Sequence, residues 1–115
     1  MSWNRPQVIA ARQDILRVAR DVLSGAVSPI EGARAIARLR FTARLETDVD
    51  ILPLVGIDSE TDALPLGRDR EHWQAQALID LQGAIDNAQR WARDVADGRC
   101  RSLLARSDSL LRWPG

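Results

Sequence analysis

Few residues in this sequence are equipped for chemistry, and their spacing argues against most reactions. There is one cysteine, Cys100, and one histidine, His72, far apart in the chain. Arg99 and Arg101 flank Cys100 and are placed to lower its pKa, yet a single cysteine on a helix reads first as a small core residue. One cysteine excludes an intramolecular disulfide, and one histidine is too few for most metal sites and proton relays. His72, beside Trp73, reads as a surface or capping residue at a helix start. Gly56 and Gly67 are isolated, so no phosphate-cradling loop is expected. Asp58-x-Glu60-x-Asp62 with Asp69 has calcium-loop spacing, but Ala63 stands where such a loop needs Gly. Pro65 also stiffens its second half, and Asp69 replaces the terminal Glu. The expectation is no catalytic residue, no metal and no cofactor.

Charge is the second informative feature. The 115 residues carry sixteen cations, all Arg, against sixteen acids, so no global field favours nucleic acid. The distribution is uneven. Residues 1–45 hold eight Arg against three acids, whereas residues 46–67 hold six acids and no Arg. Arg34, Arg38, Arg40 and Arg44 crowd one helix and repel at i,i+4, so they call for nearby anions. The economical source is the acidic segment of the same chain, which leaves no strong phosphate surface and no direct nucleic-acid contact. Trp3, Trp73, Trp91 and Trp113 read as core or interface anchors.

These residues must be positioned by helices. Val8, Ala11, Ile15, Val18 and Val22 recur at helical spacing from about Trp3 to Ser24, and Gly25 suits a left-handed cap. Ser28-Pro29-Ile30-Glu31 is a capping box with Pro at the first helical position, opening a second helix. The short link between them predicts an antiparallel hairpin over residues 3–44. Residues 45–72 read as an ordered acidic connecting loop. Pro53 and Gly56 interrupt its apolar run and argue against a long helix, although a short helix after Thr47 or Asp48 fits as well as an extended segment. Leu78, Leu81, Ile85, Ala88, Ala92 and Val95 form a heptad-like seam on a long third helix, residues 73–106. The phase shifts at Gly98, where the helix either bends or breaks. Residues 107–115 form a tail. No strand alternation occurs, so the fold class is all-α: a small helical bundle, one domain over residues 1–115. No apolar stretch reaches the ~20 residues of a membrane span, and no signal peptide opens the chain.

The stretch Gly56-Ile57-Asp58-Ser59-Glu60-Thr61-Asp62-Ala63-Leu64-Pro65-Leu66-Gly67, followed by Arg70 and Trp73, is distinctive. It resembles a group of short bacterial proteins sharing a Gly-x-Asp-Ser-Glu-Thr-Asp-x-Leu-Pro-x-Gly core, the likeness covering about residues 12–106. The chain departs from that pattern at Gln74-Ala75, where the group opens a helix with Ser or Asp before Pro. The group has no established catalytic role, so the resemblance implies no active site. In type, though not in motif, the chain also resembles the immunity proteins of contact-dependent inhibition and polymorphic toxin systems. That likeness implies a bacterial, cytoplasmic, non-enzymatic protein that binds a cognate toxin, for example a nuclease with a cationic cleft. The acidic segment is then the contact surface, through Asp48, Asp50, Asp58, Glu60 and Asp62. Asp48 and Asp50 are the acids expected to be exposed, and Asp58, Ser59 and Asp62 are expected as scaffolding. The competing expectation is a helical module that self-associates, as a homodimer for example, through the heptad seam or an exposed Trp.

Overall fold

The computed structural model describes residues 4–66, 70–71 and 73–112. Five helices and no strand occur among them, so the fold is all-α: α1 (Arg5–Ser24), α2 (Pro29–Leu39), α3 (Ile51–Thr61), α4 (Ala75–Ala105) and α5 (Ser107–Leu111). None is long and apolar enough to cross a membrane. Trp3, Asp69, His72 and Trp113 lie outside the described residues.

The hairpin forms as its caps dictate. Gly25 takes φ 85°, and its N–H donates to the Val22 carbonyl. The Ser28 hydroxyl accepts from the Glu31 N–H and donates to the Glu31 carboxylate, so the box closes through side chains. A third acceptor comes from across the bundle: Gln89 Oε1 of α4 takes the Ile30 N–H at 3.2 Å. The two helices touch at Gly32, where an added Cβ would lie 2.2 Å from Val22 Cγ2.

The acidic segment is not a loop over its whole length. Asp48 forms the turn that leads into α3: its carboxylate accepts from the N–H of the N-cap residue Asp50 at 2.9 Å, and its carbonyl accepts from Ile51 and Leu52. Pro53 falls in the first turn, where its missing N–H would have had no helical partner. Gly56 faces open space and obstructs nothing. Ile51, Leu54 and Ile57 are buried.

The long helix is the fourth, begins at Ala75 rather than Trp73, and runs unbroken through Gly98. Its buried line drifts from Ile85 and Ala92 to Ala96, Cys100 and Leu103, which absorbs the phase shift without a break. The core unites these with Ile15, Val22, Ile30, Ile36, Ile51 and Leu54, and Leu81, Ala88 and Val95 pack against it. From Leu81 to Val95 the heptad seam is thus spent inside the chain.

Candidate functional site

The tightest polar cluster lies where α3 begins and α4 ends. Asp50 is buried, and Ser102 Oγ donates to its Oδ2 at 2.7 Å. Arg106 Nη1 donates to the same oxygen at 2.7 Å, while its Nη2 donates to Asp48 Oδ2 at 2.6 Å. Arg99 Nη1 approaches Asp50 Oδ1 at 3.4 Å. Bridging two carboxylates, first Asp48 and then Asp50, drives the Arg106 pKa up despite partial burial. The Arg106 hydrogen bond, aided by the Asp50 and Ile51 amides, holds Asp48 below the usual carboxylate range against the opposing pull of burial.

Asp48 and Asp50 therefore do not form an exposed contact surface. One is half-buried and the other buried, because Arg106, Arg99 and Ser102 hold them from the far end of α4. The neighbouring Arg12 is also buried, donating from Nε to the Ala43 carbonyl at 2.8 Å and from Nη1 to the Leu110 carbonyl at 2.9 Å. Burial depresses its pKa, with Asp48 opposing and Arg106 reinforcing. A sequence signal for it existed: Arg12 falls four residues after Val8 and four before Leu16, inside the apolar stripe of α1.

The remaining acids divide. Asp58 stands 3.9 Å from Arg34, whose Nη2 donates to the Thr61 and Leu64 carbonyls. The Thr61 hydroxyl donates to the Ile57 carbonyl. Asp58, Thr61 and Leu64 of the distinctive stretch thus seat one cation of α2. Hairpin and acidic segment are matched there, whereas Asp48 and Asp50 pair with Arg106 and Arg99 at the end of α4. Ser59, Glu60 and Asp62 are exposed, so Ser59 and Asp62 are not scaffold. Because Asp58 and Glu60 ride on α3, the calcium-loop spacing is not a loop.

Three large apolar side chains are exposed in the short stretch 41–52: Phe41 by 63%, Val49 by 69% and Leu52 by 51%. Arg40 covers one face of the Phe41 ring at 4.3 Å. Along α3, Leu52, Gly56 and Ser59 share one exposed face by helical spacing, flanked by Glu60 and Asp62. Cys100 is fully buried, and burial, with Asp97 adding, pushes its thiol up to about 11. The neighbouring Arg99 is turned to Asp50 instead, so the thiol stays protonated at neutral pH. Among the described residues, no group of three or more His, Cys, Asp or Glu is placed to hold a metal ion.

Fold and site together define an all-α bundle with a stiffened, partly apolar end. No protein-family model, curated protein or solved structure matches this chain.

Proposed function

We propose that the chain is a non-catalytic protein-binding module, and in its specific form an immunity protein that occludes a cognate bacterial toxin in the cytoplasm. The observation that carries this reading is the exposure of Phe41, Val49 and Leu52 within one short stretch. Large apolar side chains left exposed on an ordered stretch are available as interface anchors, and a few such anchors carry most of an interface's binding energy. The stretch is also preorganised. Asp48 and Asp50, pinned by Arg106, fix the turn that carries Val49, which reduces the ordering cost of association.

The footprint runs from this apolar end along α3 to Glu60 and Asp62. A partner with an apolar recess beside a cationic cleft, such as a nuclease domain, complements it. Gly56, with no Cβ, lets that partner approach the helix closely. Asp48 and Asp50 serve the surface from behind rather than touching the toxin.

The test is co-expression with the C-terminal domain of the protein encoded immediately upstream. Growth rescue and a stable 1:1 complex are expected, both lost on Phe41→Asp or Leu52→Asp with the helical spectrum intact. Absence of both complex and rescue, or rescue untouched by these substitutions, overturns the reading.

A further inference from the structure

The opposite end of the molecule carries a separate surface. Helix α4 has 31 residues and is about 46 Å long, in a molecule 52 Å along its longest axis. The α2 N-terminus meets α4 at Gln89, so α4 continues about 20 Å past that point to Ala75. No residue of α4 before Ile85 is buried. Ile79 is 66% exposed and Trp73 42%. Arg70, Ala75, Leu78, Ile79 and Gln82 line a shallow apolar groove of about 370 Å³. The accessible surface of 6850 Å² exceeds the roughly 6,300 Å² expected of a compact 12.8 kDa monomer. The radius of gyration, 15.3 Å, also exceeds about 13 Å. The surplus, roughly 550 Å², is about two-thirds of what one partner contributes to a standard interface.

Charge selects the occupant. The groove has Arg70 at one end, and Asp86 lies one turn beyond Gln82 at the other. Among the described residues Arg70 has no ion pair, and Asp86 accepts only from the neutral Gln82 amide at 2.9 Å. Two copies placed antiparallel bring each Arg70 to the other's Asp86. Each protruding Ile79 then faces the partner's groove, the self-complementary arrangement a two-fold interface requires. A parallel pair sets like charges together.

We infer that the chain forms an antiparallel homodimer through the free N-terminal turns of α4, with Ile79 as the apolar anchor and reciprocal Arg70–Asp86 pairs setting the orientation. The surface takes in Leu78, the first residue of the heptad seam, whereas the seam from Leu81 onward packs on the chain's own core, and it lies away from the proposed toxin-binding end. Sedimentation equilibrium of the full chain over a concentration series tests it. A monomer–dimer equilibrium is expected. Ile79→Asp should yield a monomer with unchanged helicity and a melting temperature that no longer rises with protein concentration. Arg70→Glu or Asp86→Arg alone should weaken the dimer by roughly tenfold or more, and the two together should restore it. A monomer at every concentration, a dimer indifferent to Ile79→Asp, or a charge-swapped double variant no tighter than the singles overturns the inference. So does a dimer dissolved by Phe41→Asp, which would place the contact at the other end.

Discussion

Arg106 places one guanidinium nitrogen 2.7 Å from Asp50 and the other 2.6 Å from Asp48, tying the end of α4 to the start of α3. Asp50 is buried, so removing its nearer cation leaves a charge in a low-dielectric site with only the more distant Arg99 and the Ser102 hydroxyl against it. Breaking a fully buried pair costs about 3–5 kcal/mol. Because Arg106 is partly open to solvent, Arg106→Ala is expected to cost about 2–3 kcal/mol. The more exposed Arg99, changed to Ala, should cost less than about 1 kcal/mol. Urea unfolding of both variants checks the ranking.

Arg12 is the second buried cation with a definable task. It joins the Ala43 and Leu110 carbonyls, and thereby α1, the chain after α2, and α5. Arg12→Met keeps the apolar stem and removes the donors, leaving buried carbonyls unsatisfied at about 1–3 kcal/mol each. Hydrogen exchange should show faster opening at residues 107–111 than in α2.

The contact at Gly32 is steric. Gly32→Ala is expected to destabilise by about 1–3 kcal/mol through overpacking, despite alanine's better helix propensity. Adding Val22→Ala removes the clashing methyl. The double variant should be less destabilised than the sum of the two singles, which thermal melts of all three can show.

Two titrations bound the stable pH range. The folded-state pKa of Asp48 is depressed, so its contribution is present above the unfolded carboxylate pKa of about 4 and is lost as pH falls through the folded value. Arg106→Ala should flatten this acid limb. The thiol of Cys100 is raised from 9.0 to about 11, so its contribution is intact below 9 and lost as pH rises toward 11. The expected slope there is about 1.4 kcal/mol per pH unit. Cys100→Ala should abolish the slope, whatever its own packing cost, and denaturation between pH 8 and about 11 measures it.

Much of the architecture was legible because it is set by short-range rules. The α1 stripe, the Gly25 cap and the Ser28 box each specify a helix boundary within a few residues. Helix α3 was only half legible. Pro53 reads as a breaker until its place in the first turn is known, and that place depends on the turn at Asp48–Asp50 that leads into the helix. The roles of Asp48 and Asp50 were not legible at all. Net charge of adjacent segments pointed to the hairpin arginines, whereas Arg99 and Arg106, some fifty residues downstream, take the pairs. Balance of charge along a chain says that partners exist, not which ones geometry brings close. The exposed apolar end was equally hidden, since Phe41, Val49 and Leu52 fit no helical stripe that would have betrayed their direction.

The long sequence separation of the Asp48–Asp50–Arg106 ties also governs the order in which the molecule can assemble. On a growing chain the hairpin and α3 emerge first, with both carboxylates lacking their cation and hydroxyl partners. Only after residues 99–106 are made can the turn before α3 settle. Local helix formation is fast, whereas closing so long a loop is slow and entropically costly. The turn bearing Val49 therefore sets late, together with the Arg12–Leu110 tie that closes a still longer loop. A chain stopped before Arg99 should be helical but loosely packed, and vulnerable to proteolysis at residues 44–50.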